Sequence, residues 1–153
     1  MRKVLPAAGL AAVLILVLAT ASLAKFITGG AGPNVIAGTN RSDVIRPGPG
    51  ADRVWGRGGP DRIYGGSGND LLMGDWGNDR IYGSLGNDTL IGGGGIDRLF
   101  GEEGADTIWL TGDGAPDYAF CGPGVDTVYF DSNDTVARTC ENKIGPIAWR
   151  NNP

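Results

Sequence analysis

From Asp43 onward the chain repeats one short pattern of apolar and polar positions. Each aspartate is followed by a triplet whose middle residue is aliphatic, and the triplet gives way to a polar, glycine-rich stretch. Arg62-Ile63-Tyr64, Arg80-Ile81-Tyr82 and Arg98-Leu99-Phe100 are the clearest triplets. Neighbouring residues of a strand face opposite ways, so the middle residue is predicted to point inward. The inner row is then Ile45, Val54, Ile63, Leu72, Ile81, Leu90, Leu99 and Ile108. The pattern returns every nine residues, with Asp43, Asp52, Asp61, Asp70, Asp79, Asp88, Asp97 and Asp106 in one frame. A fixed short period marks a solenoid. Strand, turn, strand, turn predicts an all-β fold: a flattened right-handed coil with two parallel sheets, each layer roughly 4.8 Å from the next. Glycines four and seven places after each aspartate, such as Gly65 and Gly68 after Asp61, are expected to supply positive φ and close the turns.

The frame has limits. Residues 1–24 read as a secretory signal: Arg2 and Lys3, an apolar run from Val4 to about Ala19, then Ser22-Leu23-Ala24, with cleavage after Ala24. An uncleaved anchor over Val4–Ala24 is the alternative. Residues 25–42 form a lead and a degenerate first repeat, where Asn34 replaces aspartate and Arg41 replaces a glycine. The repeat domain is 43–136. Within it, Gly112-Asp113-Gly114-Ala115-Pro116 is expected to bulge as a loop, because the spacing from Asp106 to Asp117 stretches to eleven. Residues 137–153 are a cap and tail without period, with Trp149 placed to cover the last coil.

Composition sharpens this picture. The 28 glycines of the 153-residue chain are periodic and therefore architectural rather than low-complexity. Net charge is −4, and loss of Arg2 and Lys3 takes it to −6. An acidic body offers no footprint for nucleic acid and suits a divalent cation. The chain has no histidine, which excludes His-based triads and HExxH metalloproteases.

Energetics point to a missing partner. One buried aliphatic per repeat contributes roughly 2–3 kcal/mol, while ordering the backbone costs about 1–2 kcal/mol per residue. Coiling also stacks Asp61, Asp79 and Asp97 on one side and Asp52, Asp70, Asp88 and Asp106 on the other. Such columns repel unless something cationic sits between successive turns.

The units Gly65-Gly66-Ser67-Gly68-Asn69-Asp70-Leu71-Leu72-Met73 and Gly74-Asp75-Trp76-Gly77-Asn78-Asp79-Arg80-Ile81-Tyr82 resemble the RTX, or hemolysin-type calcium-binding, nonapeptide family. The resemblance covers roughly Asn34 to Val136. It implies a parallel β-roll holding several Ca2+ ions, each between turns one coil apart. The implied pairs are Asp52 with Asp70, Asp61 with Asp79, Asp70 with Asp88, Asp79 with Asp97, and Asp88 with Asp106. Backbone carbonyls of the turns, carried by Gly65, Gly66, Gly68, Gly83, Gly86, Gly92, Gly93 and Gly95, would complete the oxygen shell that calcium prefers. Pro47, Arg57 and Glu102 depart from the glycine pattern, which leaves the end sites less secure than those between Asp61 and Asp97.

Cys121 and Cys140 lie nineteen residues apart, close to one coil, and are expected to pair across adjacent layers. Two outward rows are predicted: Arg62, Arg80 and Arg98 beside Tyr64, Tyr82 and Phe100, and an apolar stripe of Trp55, Met73, Ile91 and Trp109. The aromatic row could grip a polysaccharide and the apolar stripe could be a surface for a partner such as a cell-surface protein; stacking that stabilises parallel strands is the favoured reading. Ice binding finds Asn69, Asn78 and Asn87 but no matching threonines. The expectation is a secreted, extracellular, non-enzymatic calcium-binding protein with a structural or adhesive role, and with no membrane association after signal cleavage. The rivals are a glycan-binding module and a polysaccharide-acting enzyme using Asp113, Asp117, Glu102 or Glu103.

Overall fold

The computed structural model describes residues 25–110 and 112–145, together with the backbone of Ile15–Leu16. Apart from Ile15–Leu16, the proposed signal lies outside the described residues, as do Ala24 at its cleavage site and Trp149. Among the described residues every regular element is a strand, and the strands form two parallel sheets wound into a solenoid of about seven coils. Among the described residues no helix is long and apolar enough to cross a membrane.

One sheet stacks Val35–Ala37, Arg53–Trp55, Leu71–Trp76, Thr89–Gly94, Thr107–Trp109, Thr127–Tyr129 and Asn142–Ile144, with Ile15–Leu16 paired to Val35–Ala37 at its edge. The other stacks Phe26–Thr28, Val44–Arg46, Arg62–Ser67, Arg80–Leu85, Arg98–Glu103, Tyr118–Phe120 and Thr135–Val136. Register follows the eighteen-residue coil through the array: Arg62 pairs with Arg80 and Arg80 with Arg98, while Leu71 pairs with Thr89 and Thr89 with Thr107. The inner row is as predicted, and Ile45, Val54, Ile63, Leu72, Ile81, Leu90, Leu99 and Ile108 are fully buried. Ile27 and Ile36 extend it at one end, Ala119 and Val128 at the other.

Three local expectations need correction. The five central strands are six residues long rather than three, because pairing continues through the glycine-rich segment: Gly66 pairs with Ser84 and Asp75 with Gly93. The tail is not wholly aperiodic, since Asn142–Ile144 adds a strand beside Thr127–Tyr129. The two glycines of each turn also have different purposes. Gly68 is left-handed at φ 124°, whereas Gly65 does not have positive φ. A Cβ on Gly65 would lie 2.5 Å from the Gly83 carbonyl oxygen and 2.6 Å from Asp70 Oδ2. Its value is smallness, not backbone freedom.

The position after that small glycine carries the unusual backbone. Gly48, Gly66 and Gly93 are left-handed there, and so are Arg57 (φ 79°), Asp75 (φ 70°), Ser84 (φ 82°) and Glu102 (φ 71°). A left-handed conformation costs a residue with a Cβ about 1–2 kcal/mol. The ladder on either side therefore imposes this backbone whatever the side chain.

The outward rows form as predicted. Tyr64, Tyr82, Phe100 and Phe120 stack with centroids 4.7–4.9 Å apart and rings within 9° of parallel. Arg46 sits 4.8 Å from the centroid of the Tyr64 ring. On the other sheet Trp55, Met73, Ile91, Trp109 and Tyr129 are in register, and the last two rings stack at 3.9 Å. The Cys121–Cys140 disulfide is present, joining Cα atoms 5.2 Å apart.

Candidate metal centre

An aspartate placed just before each strand triplet faces the interior at the point where the coil turns. Asp43, Asp52, Asp61, Asp70, Asp79, Asp88, Asp97, Asp106, Asp117 and Asp126 are all buried, none more than 3 % exposed. They form two columns, as the coil period requires. In each column Oδ1 accepts the backbone N–H of the aspartate one coil earlier: Asp61 N–H donates to Asp79 Oδ1 at 2.7 Å, Asp79 to Asp97 at 2.8 Å and Asp97 to Asp117 at 2.8 Å. The second column runs from Asp52 through Asp70, Asp88 and Asp106 to Asp126, with bonds of 2.8 Å.

The second oxygen has no such partner. Oδ2 of Asp52, Asp61, Asp70, Asp79, Asp88, Asp97, Asp106, Asp117 and Asp126 is buried and accepts no hydrogen bond. An unsatisfied buried polar group costs about 1–3 kcal/mol, and more when charged. Nine of them rival the roughly 5–15 kcal/mol net stability of a whole domain. Burial correspondingly raises the carboxyl pKa of Asp61, Asp70, Asp79, Asp88, Asp97, Asp106, Asp117 and Asp126, with neighbouring carboxylates adding to the effect and the backbone hydrogen bond opposing it. Asp61 is pushed up to about 8, Asp88, Asp97 and Asp117 to about 7, and Asp70 and Asp79 to about 6. Asp106, Asp126 and Asp134 are raised by the same cause. At neutral pH Asp61 keeps its proton and Asp88, Asp97 and Asp117 are about half protonated, unless a cation takes the proton's place.

The space around Oδ2 suits a hard cation. The glycines five residues before Asp61, Asp70, Asp79 and Asp88 each bring Oδ2 and a carbonyl from the next coil to the spot that a Cβ would fill, whereas Pro47 and Cys121 hold that position before Asp52 and Asp126. Gly65 has Asp70 Oδ2 and the Gly83 carbonyl there; Gly74 has Asp79 Oδ2 and the Gly92 carbonyl; Gly56 has Asp61 Oδ2 and the Gly74 carbonyl. Among the described residues no group of three or more His, Cys, Asp or Glu side chains converges on one point. An ion here would take backbone carbonyls with its carboxylates, the oxygen-only shell of calcium.

The sequence-predicted residues thus separate by task. Asp52, Asp61, Asp70, Asp79, Asp88, Asp97 and Asp106 stand in the two columns. The Gly83 and Gly92 carbonyls border orphaned carboxylates, and Gly65 makes room for one. Gly66, Gly68, Gly86, Gly93 and Gly95 shape the turns with φ between 106° and 132°. Sequence reasoning left Asp117 and Asp126 out of the candidate set, although they carry the same orphaned Oδ2 and stand nine residues apart in the frame. The array closes at Asp134 as the spacing predicts, but the end of the other column was missed. Asp117 N–H donates to Asp134 Oδ1 and Asp126 N–H to Glu141 Oε2, both at 3.0 Å. Glu141 lay outside the nonapeptide frame, so no periodic signal pointed to it.

Comparison with known proteins agrees with this geometry. The family model for the RTX calcium-binding nonapeptide repeat matches four times, at residues 28–63, 47–81, 55–90 and 82–114, together more than half of the chain. The protein belongs to that family, whose repeats bind calcium. No curated protein and no solved structure shows a significant match.

Proposed function

We propose that this is a secreted, non-enzymatic calcium-binding β-roll that folds on meeting extracellular calcium and serves a structural or adhesive role at the cell surface. The observation that carries the reading is the row of buried Oδ2 atoms without a hydrogen-bond partner, four of which converge with a carbonyl of the next coil on the spot that a glycine's absent Cβ would take. Asp52, Asp61, Asp70, Asp79, Asp88, Asp97 and Asp106 would hold the ions together with turn carbonyls such as those of Gly83 and Gly92. The ion supplies positive charge between stacked carboxylates and does no chemistry. Its binding free energy becomes folding free energy, because the unfolded chain has no site.

The aromatic ladder favours cohesion over glycan capture. Tyr64, Tyr82 and Phe100 turn their ring faces on one another and offer edges to solvent, whereas a sugar stacks on a face. The test is circular dichroism of residues 25–153 during a calcium titration, repeated with magnesium. β-structure should appear with calcium and far less with magnesium, which demands a tighter octahedral shell. A spectrum indifferent to calcium would overturn the proposal.

A further inference from the structure

The two turns that open the roll are closed differently from those that follow. In the first, Asn34 stands where later repeats have aspartate. It is buried, and its Nδ2 lies 2.5 Å from the Gly32 carbonyl oxygen, 3.1 Å from that of Gly30 and 2.9 Å from Asp52 Oδ1. The Pro47 carbonyl oxygen is 3.4 Å away. An amide has two hydrogens, yet four oxygens face this nitrogen. Turn carbonyls and a carboxylate from the next coil are the kind of donor set assigned above to an ion. The partial positive charge of the amide occupies its centre.

The second turn reaches the same end by another route. Asp43 Oδ2 is not among the orphaned atoms. It accepts the backbone N–H of Thr39 at 2.6 Å and the Thr39 hydroxyl at 2.9 Å. The backbone agrees in both turns. The residue four before each later aspartate, from Gly48 to Glu102, is left-handed, but Gly30 and Thr39 are not. Their N–H groups instead reach the side chain four residues on, Gly30 to Asn34 Oδ1 at 3.2 Å and Thr39 to Asp43 Oδ2. Two unrelated side chains, on two different columns, thus supply donors where every later turn of the array leaves an oxygen bare.

We infer that the coil from Gly29 to Asp43 is an ion-independent cap, in which the Asn34 amide and the Thr39 hydroxyl take the place of calcium, and that the ion ladder starts one coil later. This rests on the calcium-binding reading above. Solenoids need modified terminal units. A cap with its own donors gives the next coil a preformed surface before any ion arrives.

Asn34→Asp tests the inference, with bound calcium counted by native mass spectrometry and isothermal calorimetry on residues 25–153. The variant restores the carboxylate of the repeat pattern and should bind one more ion per chain than the wild type. An unchanged count in a variant whose wild type binds calcium overturns the cap while leaving the calcium-binding reading intact. A wild type that binds none defeats both. Asn34→Ala provides a second readout by hydrogen exchange at saturating calcium. Exchange at the amides of Gly29, Gly32 and Asn34 should quicken at least tenfold, with the amides of Asp79 and Asp88 unchanged. Equal protection in variant and wild type would show that the amide closes nothing.

Discussion

Two residues of each nonapeptide share the space beside the carboxylate, and they respond to substitution in opposite ways. The glycine five before the aspartate has ordinary backbone and no spare volume, so Gly74→Ala should drive a methyl against Asp79 Oδ2 and the Gly92 carbonyl. A loss of about 2 kcal/mol or more in the calcium-loaded protein is expected, in the range of overpacking, and calorimetric melting would measure it. From Gly48 to Glu102 the next position is left-handed whatever occupies it, so Glu102→Gly should relieve strain and raise stability by about 1 kcal/mol. A lowered melting temperature would count against that account. The aspartates differ among themselves for a related reason. Asp79 Oδ2 has no donor and Asp79 stands between Asp61 and Asp97, whereas Asp43 Oδ2 is already held by Thr39. Asp79→Ala should therefore lose about 3–5 kcal/mol of calcium-loaded stability, as when one partner of a buried charge pair is removed. Asp43→Ala should lose about 1 kcal/mol, near the net worth of a hydrogen bond. Equal losses in denaturant titrations would sink the shared-site scheme.

At the scale of strands and turns, legibility in the sequence followed the frame. Wherever the nine-residue step held, one aliphatic position sufficed to place a strand, its face and its partner, which is why the row from Ile45 to Ile108 emerged intact. The step fails after Asp106. The coil first lengthens to twenty residues around 112–116, then shortens to seventeen and fifteen. Asn142–Ile144 still pairs in register, but all three residues are exposed, so no buried aliphatic marked the strand beforehand. Glu141 reaches its Asp126 N–H across the shortest coil with the extra methylene that aspartate lacks. The separate purposes of Gly65 and Gly68 were illegible for another reason: one residue type answers both a demand for space and a demand for positive φ. The Cys121–Cys140 bond lies where the frame decays, and it should carry stability that periodic burial no longer provides. Replacing both cysteines by serine is expected to cost about 3 kcal/mol. Hydrogen exchange should localise the loss to 118–145 and spare Arg62–Leu85. Uniform loss along the roll would mean that the bond supports the whole solenoid rather than its end.

For the whole molecule, the buried carboxylates make pH and calcium opposing controls on one fold. The ordinary value for these groups is 3.8, and in the folded chain burial raises six of them to between about 6 and 8. A group whose pKa rises on folding binds its proton more tightly in the folded state. Its stabilising contribution is complete below the unfolded value and is lost as pH climbs through the folded one. The calcium-free chain should thus be most structured near pH 4 and lose structure progressively between about pH 4 and pH 8. Calcium reverses the sign. An ion between two carboxylates stabilises their charged form, so the loaded protein should weaken as pH falls and protons compete for the same oxygens. The two stability curves must then converge at the acid end, with calcium giving its largest increment at the alkaline end. Thermal melts from pH 4 to pH 8, with and without calcium, would trace both. A calcium-free curve that rises with pH would mean the carboxylates find another partner when ionised, and the columns of buried aspartate would no longer demand an ion.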